Sequence, residues 1–261
     1  MNPPAPAPRR TESNDRPDES TEGLIARGLV KQYGRRVILN GVDINVPPGQ
    51  IVGLLGPNGA GKTTCFYLIV GLLRAQGGSV QLDGTDLTTL GLPARARHGL
   101  GYLAQESSVF RGLSVADNLR AALELRTDLN AANQTATLEA LLEEFALTAV
   151  RNSPGRALSG GERRRCEIAR ALASAPRYLC LDEPFAGVDP ISVQDLQHTI
   201  RSLRDRGIGV LVSDHNVRET LAVCDSAYIL SHGKILCHGS PEVLLADPTV
   251  RKAYLGERFA L

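Results

Sequence analysis

No run in this 261-residue chain approaches the roughly 18 uninterrupted apolar residues that a membrane-spanning helix needs, so any work at a membrane must be shared with a partner. The N-terminus also lacks the apolar core of a secretory leader. An excess of one charge is missing: 29 Lys and Arg stand against 28 Asp and Glu, for a net charge of +1. At that level there is no electrostatic footprint for nucleic acid. The five cysteines, Cys65, Cys166, Cys180, Cys224 and Cys237, form no CxxC pair and no metal-ligand spacing. Their neighbours are mostly apolar, so they read as small buried hydrophobes in a reducing compartment. Sustained heptads are absent as well, which argues against a long coiled coil.

The first 22 residues are expected to be a disordered tail. Pro3, Pro4, Pro6, Pro8 and Pro17 deny them helix and sheet, and they hold no apolar cluster to bury. Residues 23–261 are long enough for one large domain with a subdomain. Leu24–Val30 and Val37–Val46 read as strands, punctuated by Gly41 and Pro47-Pro48-Gly49. Ser79–Leu82 is a further short strand closed by Asp83-Gly84. From about residue 106 to 175 the pattern becomes helical. Ser114 and Asp117 fit a capping box, with Val115, Leu119, Ala122 and Leu123 at helical spacing. Leu138, Leu141, Leu142 and Phe145 give a second apolar helix face. Strands then resume at Tyr178–Leu181 and Val210–Val212, separated by a helix with Asp189 as cap and Pro190 at its first position. A hairpin follows around Ser231-His232-Gly233, and residues 241–261 are expected to be mostly helical. Strands alternating with helices indicate an α/β fold with its chemistry at strand ends.

The most informative segment is Gly56-Pro57-Asn58-Gly59-Ala60-Gly61-Lys62-Thr63-Thr64, a complete GxxxxGK[ST] P-loop. Glycines let backbone N–H groups turn inward around a phosphate with no Cβ in the way. The helix that follows, read as Cys65–Leu73, aims its positive end at the same anion. Lys62 adds a full charge near the β- and γ-phosphates, and Thr63 offers a hydroxyl to Mg²⁺. The apolar run Gln50–Leu55 before the loop reads as the strand this motif requires. A second glycine-rich helix start, Ser159-Gly160-Gly161-Glu162, follows Leu158. Taken alone it is a capping box. Downstream of a P-loop and 23 residues before Asp182, it is also a second anion-binding surface (182 − 159). Two phosphate-binding surfaces in one chain suggest a nucleotide held between two copies.

On these motifs the chain resembles the ATPases of ABC transporters over about residues 23–261. The resemblance implies a P-loop NTPase core with a mixed sheet, an antiparallel β subdomain and the inserted helical subdomain. It implies ATP and Mg²⁺ as ligands and a homodimer in which Ser159–Glu162 of one chain closes over the ATP on the other's P-loop. Tyr33 matches the aromatic that stacks on adenine. Gln105 matches the glutamine that senses Mg²⁺ and the attacking water, and Asp182 the residue that holds the Mg²⁺ shell. Glu183 matches the general base, and His215 the histidine that contacts the γ-phosphate. Longer strings, among them Val109–Val115, Gly161–Arg165, Phe185–Val193, Asp214–Leu221 and Tyr254–Phe259, resemble the ATPases of lipopolysaccharide export. That implies a place on the cytoplasmic face of the inner membrane, beside two integral membrane subunits. Phe110 and Arg111 match the region that receives a coupling helix of such a subunit. Branched-chain amino-acid importer ATPases share the length and motif set. A soluble ABC ATPase acting on ribosomes or DNA, and a non-catalytic nucleotide-binding subunit, are the remaining alternatives. The single motif set and the balanced charge count against the former, and intact Lys62, Asp182, Glu183 and His215 against the latter.

Overall fold

The computed structural model describes residues 21–255. The expected tail over residues 1–22 lies outside them apart from its last two residues, as do residues 256–261 of the expected C-terminal helical segment. The chain opens with β1 (Leu24–Tyr33) and β2 (Arg36–Val46), an antiparallel pair. Next come β3 (Ile51–Leu55), α1 (Lys62–Val70), β4 (Gly77–Leu82), β5 (Thr85–Asp86), α2 (Leu92–Arg97) and β6 (Leu100–Leu103). Residues 104–177 contain no strand and carry α3 (Val115–Leu123), α4 (Ala131–Glu144) and α5 (Gly160–Ala173). The sheet then resumes with β7 (Tyr178–Asp182), α6 (Pro190–Asp205), β8 (Gly209–Ser213) and α7 (Val217–Leu221). The chain continues through β9 (Ser226–Ser231), β10 (Lys234–Gly239) and α8 (Pro241–Ala246).

One sheet has the order β2-β1-β4-β5 and is antiparallel throughout. The other has the order β10-β9-β3-β8-β7-β6. Its pairs are parallel except β9–β10, so the sheet is mixed. This is the expected α/β P-loop NTPase architecture. In β3, β7 and β8 every residue is buried, because both faces of the parallel sheet are covered. Phe66, Leu68 and Ile69 of α1 pack on Leu29, Leu39 and Val42 of the antiparallel sheet. On the other face Leu119, Leu142, Phe145 and Ile168 join Leu179, Ile200 and Val210. Full burial of such side chains stabilises by about 1.5–3 kcal/mol each. Among the described residues no helix is long and apolar enough to cross a membrane.

Several local details differ from the pattern reading. Helix α1 begins at Lys62 rather than Cys65 and ends before Gly71 rather than at Leu73. Gly61 (φ 109°) and Gly71 (φ 83°) occupy left-handed backbone at its two ends, and the N–H groups of Leu72 and Leu73 both fall back on Tyr67 O. At the start of α3 only half of the capping box forms. Ser114 Oγ accepts from Asp117 N, while the Asp117 carboxylate takes the Ser114 hydroxyl instead of its backbone N–H. Four cysteines are buried as expected, but Cys237 is half-exposed, with its Sγ 3.6 Å from Asp247 Oδ2. The parallel strands β3, β6, β7 and β8 all end at one edge of the sheet. Gly56, Gln105, Glu183 and Asp214 follow those ends, which is where an open α/β sheet forms its binding crevice.

Candidate active site

The P-loop is shaped by backbone that only glycine tolerates. Gly56 has φ 150°, and a Cβ there would lie 2.0 Å from Leu230 O. Gly61 has φ 109°, and a Cβ would meet Leu39 Cδ2 at 2.8 Å. Helix α1 starts on Gly61 with no side-chain cap and no acidic residue in its first turn. Its first N–H groups are therefore offered to a ligand rather than to the chain itself. Lys62 folds across the loop, donating from Nζ to Gly56 O at 2.6 Å and Pro57 O at 3.2 Å. Burial lowers the Lys62 pKa, opposed by the charges of Glu183, Asp182 and Asp214. Asn58, Gly59 and Thr63 are exposed along the same loop, Ala60 is buried, and Thr64 is half-buried.

The two adjacent acids at the end of β7 have opposite surroundings. Asp182 is buried, and its Oδ2 has no hydrogen-bond partner. Burial, with the Glu183 charge beside it, pushes its pKa up to about 6, while the neighbouring Tyr102 hydroxyl pulls the other way. An orphaned buried carboxylate oxygen within electrostatic reach of Lys62 suits a hard divalent cation. Among the described residues no group of three or more His, Cys, Asp or Glu forms a metal cluster. A cation here would share its coordination with the Thr63 hydroxyl, water and substrate oxygens, as Mg²⁺ does. The residues present thus fit Mg²⁺.

Glu183 is strained and wired. Its φ is 46°, uncommon for a residue with a Cβ, and its N–H donates to Ser213 O at 2.6 Å. Gln105 Nε2 donates to Glu183 Oε2 at 2.8 Å. His215 Nδ1 lies 3.3 Å from the same oxygen and 3.3 Å from Asp214 Oδ1. The His215 side chain is 55% exposed, so its ring stays open to a ligand. Asp214 is fully buried and accepts from the N–H groups of Phe185 and Asn216, each at 2.8 Å. It fixes the backbone on both sides of the site. The structure thus gathers Gln105, Glu183 and His215 from three strand ends into one cluster, with Gln105 hydrogen-bonded to Glu183 and His215 in close contact with it. A carboxylate held this way can orient a water and accept its proton.

Ser159, Gly160, Gly161 and Glu162 stand elsewhere. No hydrogen bond or ion pair among the described residues joins them to the P-loop. The capping box is complete: Ser159 N donates to Glu162 Oε2 at 2.9 Å, and Glu162 N donates to Ser159 Oγ at 3.3 Å. Ser159 and Gly160 are exposed. Tyr33 ends β1 and is 51% exposed, with Lys31 Nζ 5.3 Å from its ring centroid.

Motif reading missed a buried clamp that runs from α5 to the Gln105 segment. Glu167 accepts from Ser107 Oγ (2.8 Å) and Ser108 N (2.7 Å) on one carboxylate oxygen. Arg164 donates to Ala104 O (3.2 Å), to Glu167 Oε2 (3.1 Å) and to Asp182 O (3.4 Å). Arg170 grips Ser108 O and Oγ, each at 2.6 Å, and lies 5.0 Å from the Phe110 ring centroid. Phe110 is 52% exposed at the mouth of a groove of about 370 Å³ that includes Leu92, Ala96, Ala122 and Leu125. Arg111 is exposed beside it. The only sequence signal for this clamp is the spacing of Arg164, Glu167 and Arg170 along one face of α5.

The family model described as ABC transporter matches residues 39–186. A second, described as Branched-chain amino acid ATP-binding cassette transporter, matches residues 234–260. A probable ABC transporter ATP-binding protein of Azorhizobium caulinodans is 56% identical over 96% of this chain and 89% of its own length. The lipopolysaccharide export system ATP-binding protein LptB of Escherichia coli K12 is 55% identical over 91% of this chain and 99% of its own. Among solved structures, MJ1267, an ATP-binding cassette of an ABC transporter in its ADP conformation, superposes with a TM-score of 0.80. It is 29% identical and covers 90% of this chain and 99% of its own.

Proposed function

Since the chain belongs to the ABC transporter family of ATP-binding proteins, we propose that it is the ATP-hydrolysing subunit of a lipopolysaccharide exporter. Hydrolysis of ATP follows from the family; the cargo and the residue roles are the proposal. The observation that carries the cargo is identity to proteins named LptB at 53–55% over 91% of the chain. Two copies work with two integral membrane subunits, and the chain meets the cytoplasmic face of the inner membrane only through them.

In the proposed mechanism the open N–H groups at the start of α1 and the Lys62 ammonium bind the β- and γ-phosphates. Lys62 leaves Gly56 O and Pro57 O to do so. Tyr33 offers its exposed ring to the adenine. Thr63 and Asp182 would hold Mg²⁺, with Gln105 nearby; when bound, the cation neutralises charge on the phosphate oxygens. Gln105 and His215 hold the Glu183 carboxylate, which takes a proton from water as the water oxygen attacks the γ-phosphorus. The bond to the bridging oxygen breaks, and ADP and phosphate leave. Ser159–Glu162 of the second copy complete the γ-phosphate site.

Phe110, with Arg111 beside it, anchors a helix of the membrane subunit in the groove. Phe110→Ala is expected to lose assembly with the membrane subunits and to retain ATP binding; unchanged assembly would refute this role. The cargo is tested by purifying the native complex from solubilised membranes and identifying what comes with it. Two multi-span subunits with bound glycolipid support the proposal. Amino-acid permease subunits would instead support the second reading, an importer ATPase, which the match at residues 234–260 favours.

A further inference from the structure

The P-loop helix is gripped at its far end by a buried arginine. Arg95, in α2, is 2% exposed, yet among the described residues no carboxylate forms a hydrogen bond with it. Four backbone carbonyls do. Nε donates to Leu90 O at 2.8 Å and Nη2 to Thr88 O at 3.2 Å. Nη1 donates to Leu68 O at 2.7 Å and also to Ile69 O. Leu68 and Ile69 lie in the last turn of α1, where carbonyls have no partner within the helix and a cation meets the negative end of the dipole. Gly71 makes room for this contact: a Cβ there would lie 2.8 Å from Arg95 Nε. The Leu92 N–H adds a direct bond to Gly71 O at 3.2 Å.

Burying a charge is costly unless all its donors are engaged, and an apolar side chain would fill the same space more cheaply. What the planar fork supplies instead is a fixed join between two elements. One is α1, whose other end cradles phosphate. The second is α2, whose Leu92 and Ala96 line the groove beside Phe110 and which leads through β6 to Gln105. With α1 about 14 Å long, the guanidinium is too far away to act on a phosphate directly.

We propose that Arg95 is a positioning residue that transmits the nucleotide state of the P-loop helix to α2, the wall of the groove. The test is backbone hydrogen exchange of the full-length protein with and without a non-hydrolysable ATP analogue, native against Arg95→Lys. In the native protein the analogue is expected to slow exchange severalfold in the P-loop and also over residues 88–97. In Arg95→Lys the P-loop protection stays and the nucleotide-dependent protection of 88–97 is lost. A merely structural role would raise exchange over 88–97 equally with and without the analogue. Such an unchanged difference overturns the proposal, and so does an absence of protection over 88–97 in the native protein. Should Arg95→Lys fail to bind nucleotide, Gly71→Ala displaces the guanidinium with the arginine in place and is read by the same outcomes. No membrane partner is needed, so the result stands apart from the cargo proposed above.

Discussion

Helices α1 and α5 both begin on glycine-rich turns, yet their first donors are used differently. Gly61 gives α1 no side-chain cap and no acid, so its opening N–H groups wait for an anion. Ser159 and Glu162 close α5 with a full capping box, so that turn is complete in the single chain. The first is a binding site made by leaving a helix unfinished. The second is a closed turn, and under the proposed function it meets a phosphate only when a second copy brings one to it. This difference separates a helix start whose donors are open from one whose donors its own capping box already uses. It also supports the reading that each ATP is enclosed by two copies.

The largest effect expected falls on the acid that serves the unfinished end. Glu183→Gln should lower phosphate release by roughly 10²–10⁴-fold while ATP binding persists and a dimer is trapped on gel filtration. Near-normal phosphate release would break the assignment of the base. Next, Gly56→Ala would place a Cβ 2.0 Å from Leu230 O, and nucleotide binding by calorimetry should vanish at concentrations that saturate the native chain. Its counterpart in α5 is milder for the single chain. Ser159→Ala removes a cap and should cost about 1 kcal/mol of stability, with single-chain nucleotide affinity unchanged. A loss of that affinity would contradict the division between the two helix starts.

The smallest effect is a pH dependence. The Asp182 pKa is raised from 3.8 to about 6 in the folded protein, first by burial, so the folded state holds that proton more tightly than the unfolded one. The penalty for ionising it is absent below about pH 4, grows up to about pH 6 and is complete above. Asp182→Asn should therefore raise the melting temperature of the nucleotide-free protein at pH 8. That gain should disappear near pH 4. A gain that is constant with pH would mean the carboxylate is not the source.

Much of this was legible in the residues because the chemistry is local in sequence. The P-loop is contiguous, and Glu183 and Asp214-His215 each directly follow an apolar strand. The parallel sheet then brings them to one edge without further instruction. What could not be read were contacts whose partners lie far apart. Glu167 meets Ser107 and Ser108 across some 60 positions, and Arg95 meets Leu68 and Ile69 across 26 or 27. An arginine in an Arg-rich string reads as solvated, since its burial depends on carbonyls supplied by another element. The limits of α1 depart from the apolar pattern for a related reason. Glycine in left-handed backbone, rather than apolar periodicity, fixes both ends.

Whether each site is shared between two copies can be read by mixing two inactive variants. Lys62→Ala disables the P-loop, and Ser159→Arg disables the surface that closes over it. In a mixed dimer one composite site keeps both an intact P-loop and an intact Ser159–Glu162 turn. With shared sites, ATP hydrolysis by the mixture is expected to rise well above the sum of the two variants alone. A mixture no more active than that sum would contradict sharing.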